Sequence, residues 1–191
     1  MKQTKQHIAD KALLLFNDKG FVNVRLQHIA DAAFVSIGHL AYHFKNKDAI
    51  LEYLYEKIKR EKGKLLNEHK ILPLFEDIDR MLEEIFYHQK KFSFFYTDAL
   101  EIIRASPTIA KKHKLHIQWQ LMQLSFMIEF NTARGAMDIK NTSSESVAKL
   151  MQIFIDNWLH SILIEEEGAP LLANFLNDIQ SNLLNFTKKN M

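Results

Sequence analysis

The stretch 25–44, RLQHIADAAFVSIGHLAYHF, decides the fold because it holds two short helical patterns with little between them. Apolar residues at the i, i+3, i+4 and i+7 spacing of an amphipathic helix run from Leu26 to Ala33 and again from Ile37 to Phe44. The residues between the two patterns leave room only for a turn. Helices of two turns are not stable alone in water, so neighbouring helices must support the pair. A helix-turn-helix supported in this way is typical of a DNA-reading unit.

The composition predicts an all-helical globular protein. The chain has 191 residues, of which 47% are hydrophobic and only 5 are Gly and 3 Pro, without Val- and Thr-rich alternating runs. The absence of cysteine excludes disulfides, thiolate metal sites and a cysteine nucleophile. No apolar run resembles a signal-peptide core or approaches the ~20 residues of a membrane span. We therefore expect a cytoplasmic protein that does not enter a membrane.

The charge is distributed unevenly along the chain. Residues 1–70 hold 13 Lys and Arg against 8 Asp and Glu, whereas residues 71–191 hold 12 against 15, which gives the net charge of +2. The basic part contains the helix-turn-helix, as expected when one end of a protein faces phosphates. The alternative is a chance imbalance between solvated faces.

Periodic apolar residues on either side of stretch 25–44 predict about nine helices. Gly20 follows the first helix where a glycine stop belongs, and Asn46 offers an N-cap for a long fourth helix. No linker, internal repeat or low-complexity segment interrupts the chain, so a domain boundary should fall within the fourth helix. The expected helices span about 4–19, 26–33, 37–44, 46–69, 73–86, 92–103, 106–131, 142–163 and 170–186.

More than ten residues in fixed register around stretch 25–44 form one composite motif. They are Gly20-Phe21, Ile29-Ala30, Ala32-Ala33, Val35-Ser36, Gly38, Leu40, Tyr42-His43-Phe44, Lys47 and Ile50-Leu51. This motif resembles the signature of the TetR (tetracycline-repressor) family of bacterial regulators, and the spacing agrees without a gap. The resemblance covers about Ile8 to Tyr55, roughly a quarter of the chain.

The resemblance implies an all-α fold with an N-terminal helix-turn-helix DNA-binding domain and a C-terminal helical domain for ligand binding and dimerisation. The first domain would span residues 1–47 and the second 48–191, with the boundary inside the fourth helix at 47–69. The implied function is a ligand-responsive transcriptional regulator, and we expect a repressor. Its partners would be a palindromic DNA operator read by the third helix in the major groove, a small-molecule effector and a second copy of the chain.

The third helix carries the predicted DNA contacts. The Ser36 hydroxyl can cap this helix, and Gly38 permits close approach to DNA. Lys47 lies in the first turn of the fourth helix, where free N–H groups and the helix dipole favour a phosphate. The predicted DNA contacts are Arg25, Ser36, Ile37, Gly38, His39, Tyr42, His43 and Lys47.

Three residues of the same stretch depart from the family's pattern. Phe34 stands where the family has a turn glycine, and it would be strained if the backbone there needs a positive φ. Ala41 replaces a tyrosine that commonly contacts DNA, and Arg25 replaces a Ser or Thr helix cap. The alternative function is therefore a helical small-molecule-binding protein or enzyme whose helix-turn-helix is a weak or lost DNA binder.

The seventh predicted helix is apolar around roughly two thirds of its circumference and has a polar row on the rest. Buried amide and imidazole groups need partners, so this row either meets polar groups of neighbouring helices or lines a ligand cavity. Nearby aromatic residues either line the same pocket or belong to the core. The candidate ligand-binding residues are Phe95, Tyr96, His113, His116, Trp119, Gln120, Met122, Gln123 and Met127.

The last two predicted helices have long apolar stripes. Thr142 and Glu145 have the spacing of a capping box that would start the first of them. Large aromatic residues in these stripes suit a partner helix as well as a core. The candidate dimer-interface residues are Phe154, Ile155, Trp158, Ile162, Phe175, Leu176, Ile179 and Leu183.

Three pairs of chemically versatile residues stand at helical spacing. The histidine pairs have no third ligand nearby in the sequence, and the carboxylate pair has no accompanying hydrolase or di-metal motif. We therefore expect no metal site, no cofactor and no enzyme activity. The pairs are His39 with His43, His113 with His116, and Asp98 with Glu101.

Overall fold

The computed structural model describes residues 2–68, 75–135, 139 and 142–164, and the regular structure within these ranges is entirely α-helical. This confirms the predicted fold class. None of the described helices combines the length and apolarity that crossing a membrane requires. The helices in the described ranges are α1 (Lys2–Lys19), α2 (Leu26–Ala32), α3 (Ile37–His43), α4 (Lys47–Glu68), α5 (Phe75–Lys91), α6 (Ser93–Thr97), α7 (Ala99–Ala105), α8 (Pro107–Ala133) and α9 (Ser144–Ile164).

The sixth predicted helix is divided into α6 and α7 at Asp98, which lies outside helical geometry with φ −103° and ψ 14°. Oδ2 of Asp98 accepts a hydrogen bond from the Phe21 N–H at 2.9 Å, and this contact holds Asp98 at the break. Leu100 of α7 is exposed, whereas Ile102 is fully buried. The predicted helix at 170–186 lies outside the described residues.

Unit 1 is the first of two compact units and joins Met1–Glu61 with Lys91–His113. Its core brings α6 and α7 together with the first four helices. The Asn17 side chain accepts a hydrogen bond from the Phe94 N–H at 3.1 Å and donates one to the Lys91 carbonyl at 2.9 Å. The largest fully buried side chains of this core are Tyr55, Phe16, Phe44, Phe92, Phe94, Ile8, Ile29, Leu40, Ile50, Leu51, Leu54 and Ile58.

Unit 2 joins Lys62–Lys90 with Lys114–Met191. The Ser144 hydroxyl donates to Glu129 at 2.7 Å, and Gln152 donates to Gln120 at 3.2 Å. Because the later residue of α9 pairs with the earlier residue of α8, these two helices run antiparallel. The core consists of Leu65, Leu66, Met81, Leu82, Ile85, Leu124, Met127, Ile128, Ala148, Met151 and Ile155. The domain boundary expected within 47–69 remains a prediction.

Candidate nucleic-acid interface and buried polar cluster

The N-terminus of α3 is fixed by a cap and a buried anchor. Oγ of Ser36 accepts a hydrogen bond from the His39 N–H at 3.1 Å, as an N-cap residue does. Leu40 is fully buried in the core of unit 1, to which Ile29 and Ala30 of α2 also belong. The short helix is therefore held on one side by the core, and its other side faces outward.

The outward side of α3 consists of residues that were predicted to contact DNA. Ile37 and Tyr42 are exposed, Tyr42 at 71%, and so are Gly38 and His39. A Cβ placed on Gly38 would meet no atom within 4 Å, so packing within the chain does not require a glycine there. The open space leaves room for another molecule to approach the backbone, as a helix in a major groove requires.

His43 is half-buried near the end of α3. Its ring centroid lies 5.2 Å from that of His39 and 5.1 Å from that of Tyr42. Partial burial lowers the pKa of His43 below its ordinary value of 6.5, and the positive charges of His39 and Lys5 lower it further. A neutral imidazole contacts DNA through one donor and one acceptor nitrogen, not through a charge.

Phe34 occupies the turn between α2 and α3 with φ +54° and is 90% exposed. In the described part of the chain it is the only non-glycine residue with a positive φ. The Phe34 N–H donates to the Asp31 carbonyl at 3.1 Å, and the Val35 N–H donates to the Ala30 carbonyl at 3.0 Å. This turn therefore needs the left-handed conformation, which costs a residue with a Cβ ~1–2 kcal/mol.

Arg25 is exposed at the N-terminus of α2. Its N–H donates to Nδ1 of His28 at 3.2 Å, while its own side chain makes no capping hydrogen bond because a guanidinium has no acceptor. His28 thus accepts from the N–H of the N-cap residue, which is the contact that the third helical residue makes in a capping box. The Arg25 charge lies at the surface near the positive end of the α2 dipole.

Lys47, a predicted DNA contact, donates hydrogen bonds within its own chain. Its Nζ donates to the carbonyls of Phe21 and Val24, each at 2.9 Å, and more weakly to that of Val22 at 3.4 Å. The same Nζ lies 4.3 Å from the centroid of the Phe21 ring, and burial lowers the pKa of Lys47. The ammonium group is therefore directed at the segment between α1 and α2 of its own chain. Lys47 positions this segment against the start of α4.

His113 and His116, one of the histidine pairs considered for metal binding, each lie against another side chain. Within the described ranges, no group of three or more His, Cys, Asp or Glu lies close enough to hold a metal. Nδ1 of His113 lies 3.1 Å from the Tyr55 hydroxyl. Nε2 of His116 lies 3.1 Å from the amide nitrogen of Gln120.

Three candidate ligand-binding residues belong to unit 1. Phe95 is buried, and its ring centroid lies 5.1 Å from that of Tyr55 and 5.3 Å from that of His113. Burial raises the pKa of Tyr55 above its ordinary range. Tyr96 is partly buried against the same core. For Phe95 and Tyr96, the structure supports packing in the core, which was one of the two alternatives. For His113 it supports the alternative of a polar partner on a neighbouring helix, the Tyr55 hydroxyl.

The polar row of α8 meets α9 inside unit 2. Gln120 is 1% exposed, its Oε1 accepts from Nε2 of Gln152 at 3.2 Å, and its Nε2 bonds His116. Gln152 also donates to Asp156, which pairs with the buried Nζ of Lys62 at 3.4 Å. Gln120 and His116 therefore have partners, and Gln120 has one on a neighbouring helix. These five residues, Lys62, His116, Gln120, Gln152 and Asp156, are called the polar cluster below.

Two glutamines close to the polar cluster have a buried amide oxygen without a partner. Gln89 of α5 is fully buried, and its Nε2 donates at 2.7 Å to the carbonyl of Ile155, the residue before Asp156. Among the described residues, Oε1 of Gln89 and Oε1 of Gln123 are buried without a hydrogen-bond partner. Gln89 was not among the predicted residues, although a polar residue four positions after Ile85 on an apolar stripe indicates it.

The remaining candidate ligand-binding residues differ in how deeply their side chains are buried. The Trp119 ring stacks on the His116 ring, with centroids 5.8 Å apart and planes 10° apart. Met127 is buried in the core of unit 2, whereas Met122 is 59% exposed. The structure therefore brings His116, Trp119, Gln120, Gln123 and Met127 into unit 2 and leaves Met122 on the surface.

The predicted dimer-interface residues also differ in burial. Phe154 is exposed on α9, whereas Ile155 is buried in the core of unit 2 and is corrected to a core residue. The side chains of Trp158 and Ile162 lie outside the described part of the structure. So do the remaining predicted residues Phe175, Leu176, Ile179 and Leu183.

Unit 2 presents a set of large apolar side chains that sequence analysis did not place on the surface. The row of α8 opposite the core is exposed. Leu150 and Ile153 of α9 are exposed as well. Together with Phe154 they have the i, i+3, i+4 spacing of one helix face, and this spacing indicates the exposed face from the sequence. The exposed set is Leu115, Met122, Phe126, Phe130, Leu150, Ile153 and Phe154.

Two family models match adjoining parts of the chain. The model described as "Bacterial regulatory proteins, tetR family" matches residues 8–54. The TetR model described as "Bacterial transcriptional repressor" matches residues 55–182, which is more than half of the chain. The two matches meet inside α4.

One curated protein and two solved structures are also similar to this chain. The "Probable HTH-type transcriptional regulator YttP" of Bacillus subtilis (strain 168) is 41% identical over 51 residues, which are 27% of this chain and 25% of the relative. This chain thus matches about a quarter of that relative's length.

The first solved structure is a TetR-family transcriptional regulator from Marinobacter aquaeolei VT8, with a TM-score of 0.85 at 21% identity, covering 96% of this chain and 91% of that one. The second is a transcriptional regulator from Saccharomonospora viridis in complex with choline, with a TM-score of 0.79 at 20% identity, covering 99% and 100%. These likenesses show the fold.

Proposed function

The chain belongs to the TetR family of bacterial transcriptional regulators, and from this premise we propose that it is a ligand-responsive DNA-binding repressor. In this proposal it acts in the cytoplasm as a homodimer on a palindromic operator, with α3 of each copy in a major groove. The family consists of transcriptional regulators and not of enzymes, so the enzyme alternative falls away.

The exposed side of α3 carries the DNA-binding proposal. Ile37, Gly38, His39 and Tyr42 are exposed on a helix that Leu40 anchors and Ser36 caps. Imidazole and phenol groups donate and accept hydrogen bonds at base edges or phosphates. Arg25 is an exposed cation for a phosphate, and the positive excess in residues 1–70 favours the same partner.

Fluorescence anisotropy with labelled DNA from upstream of the protein's own gene tests this proposal at ~0.15 M salt. The double variant His39→Ala with Tyr42→Ala should bind at least ~10-fold more weakly, because two contacts with bases or phosphates are removed. Tyr87→Ala is the matched control, since Tyr87 is an exposed aromatic residue of unit 2. Equal affinity for the upstream fragment and for random DNA would overturn the proposal.

Unit 2 supports the small-molecule part of the proposal. Its interior holds the polar cluster, the stacked Trp119 and two amide oxygens without partners. The S. viridis neighbour is described in complex with choline, so this fold accommodates a small molecule in that protein. An effector changes DNA binding only if it binds the DNA-free state more tightly than the DNA-bound state.

The exposed apolar side chains of α8 and α9 support the homodimer. A soluble monomer seldom exposes a large contiguous apolar patch, whereas the core of a subunit interface is apolar and aromatic. Phe154 is the predicted interface residue that lies among these exposed side chains. Trp158, Ile162, Phe175, Leu176, Ile179 and Leu183 remain proposed interface residues on their sequence pattern alone.

The strained turn at Phe34 favours a second candidate function, a small-molecule-binding protein with weak DNA affinity. A residue at φ +54° just before the recognition helix destabilises the element that would read DNA. Lys47, predicted to bind a phosphate, donates instead to carbonyls of its own chain. Anisotropy distinguishes the two candidates, since the second predicts effector binding without selective DNA binding.

A further inference from the structure

We infer that the effector of unit 2 is a molecule with hydrogen-bond donors on an apolar body, such as an amine or an alcohol, and not a carboxylic acid. This inference deepens the proposed function and rests on its ligand-binding part. It follows from the donors and acceptors of the polar cluster, Gln89 and Gln123.

The hydrogen bonds of Gln120 and Gln152 determine how their amides are oriented. Nε2 of Gln152 donates one hydrogen bond to Oε1 of Gln120 and one to Asp156. These two bonds use both N–H groups of the Gln152 amide. The Gln120 amide nitrogen can only donate, so Nε2 of His116 must be the acceptor in their contact. Both N–H groups of Gln152 are therefore in use, and one of the two N–H groups of Gln120 is directed at His116.

The orientation of Gln89 is determined as well. A backbone carbonyl only accepts, so the amide group within 2.7 Å of the Ile155 carbonyl has to be the nitrogen. Oε1 of Gln89 is consequently the atom left without a donor, on a side chain that is fully buried. Rotating the amide would place oxygen against oxygen.

Gln123 adds a second open acceptor on α8, three residues after Gln120. Native proteins rarely leave buried polar atoms unpaired, because an unmade hydrogen bond costs the full desolvation of the group. The third unpaired atom in the described residues, Oγ1 of Thr132, belongs to a hydroxyl that can donate as well as accept. An amide oxygen can only accept, and the bond to Ile155 fixes the Gln89 amide, so a ligand that satisfies Oε1 of Gln89 must donate.

The charges of the polar cluster argue against an acid. Lys62 is the buried cation of the cluster, and it is paired with Asp156. A carboxylate would place its oxygens against the open acceptors and would have to compete with Asp156 for Lys62. The apolar side chains of the unit 2 core, including Leu124, Met127 and Ile155, provide contacts for an apolar body.

Matched probes test the ligand class on the full chain. Octylamine, octanol and octanoate share one apolar body, and phenylpropylamine, phenylpropanol and phenylpropionate share another. Affinities come from tryptophan fluorescence, since Trp119 stacks on His116, and from the shift of Tm. In each series that binds, the amine or the alcohol should bind at least ~10-fold more tightly than the acid. An acid that binds equally well or better, or no binding by any probe, would overturn the inference.

Gln89→Leu tests the open acceptor, with Gln118→Leu as its control on the exposed side of α8. Gln89→Leu removes the unpaired buried oxygen but also the hydrogen bond to the Ile155 carbonyl, so the Tm of the free protein should change little, while affinity for the preferred donor probe falls at least ~10-fold. Gln118→Leu should leave this affinity unchanged. Should Gln89→Leu fail to fold, Gln123→Leu carries the same expectation. Unchanged affinity in the folded variant contradicts the inference.

DNA binding is measured on the same samples so that the two proposals can fail separately. A preference for donor probes without selective DNA binding would support the inference and contradict the regulator. Selective DNA binding with a preference for the acids would do the reverse. Release of DNA by the preferred amine or alcohol would support both.

Discussion

Phe34 shows how one residue affects the stability of the helix-turn-helix. Its side chain is almost fully exposed, so it contributes little to the core, while its backbone holds a conformation that suits glycine. The cost of this residue therefore lies in the backbone and not in packing.

Phe34→Gly should raise the free energy of unfolding by ~1 kcal/mol, because it removes the left-handed strain and loses few contacts. Urea denaturation followed by circular dichroism measures the change. Phe34→Ala is the matched control, since alanine keeps a Cβ at the strained position and should leave stability close to that of the wild type. A glycine variant no more stable than the alanine variant would contradict the strain argument.

His43 should make the protein less stable in mild acid. Its pKa in the folded chain lies below the ordinary 6.5, so between these two values the unfolded chain binds more protons. Stability is therefore complete above about pH 6.5 and decreases as the pH falls towards the folded pKa. Urea denaturation at about pH 7.5 and about pH 5.5 should show a smaller loss for His43→Gln than for the wild type. Equal losses would exclude this role of His43.

At the scale of elements, polar side chains from one helix hold the ends of others. Asp98 at the break between α6 and α7 accepts from the Phe21 N–H, and Lys47 at the start of α4 donates to the Phe21 carbonyl. The segment between α1 and α2 is thus held through both the N–H and the carbonyl of Phe21. Asp98, which sequence analysis considered for catalysis, has a structural contact.

Asp98→Ala should lower the free energy of unfolding by ~1–3 kcal/mol, because the Phe21 N–H loses a charged acceptor. Asp98→Asn keeps an acceptor oxygen of the same shape and should recover about half of the loss or more. Glu101→Ala, on the exposed side of α7, should have little effect. Thermal and urea denaturation measure all three. If alanine and asparagine were equally harmful, the hydrogen bond would not be the cause.

At the scale of the whole molecule, each unit has its own core, and α4 and α8 contribute to both units. The described helices of unit 2 bury one side of α8 and α9 and expose large apolar residues on the other. A second copy of the chain is the partner we propose for this exposed set.

Phe154→Glu should convert the proposed dimer into a monomer, because burying an unpaired carboxylate in an apolar interface costs several kcal/mol. Sedimentation velocity measures the mass, and anisotropy should show weaker operator binding since a monomer engages one half-site. Leu100→Glu is the control, because Leu100 is an exposed apolar residue of unit 1. A Phe154→Glu variant that stays dimeric would remove Phe154 from the interface.

Local patterns in the sequence determined the helical fold class, the capped start of α3 and the family. Periodicity and capping depend on residues within a few positions of one another, so the sequence displays them directly. The same pattern indicated the exposed residues of α3, because Leu40 marks the buried side and the others follow from helical geometry.

Only the tertiary structure decided which groups meet across the chain. It directed Lys47 to the carbonyls of Phe21 and Val24, divided a predicted helix at Asp98, and placed Ile155 in the core. It also left the oxygens of Gln89 and Gln123 without donors. A helical stripe states which side of a helix is apolar but not what that side contacts. Hydrogen bonds between residues 23 to 77 positions apart depend on how the helices pack, and no local spacing contains that information.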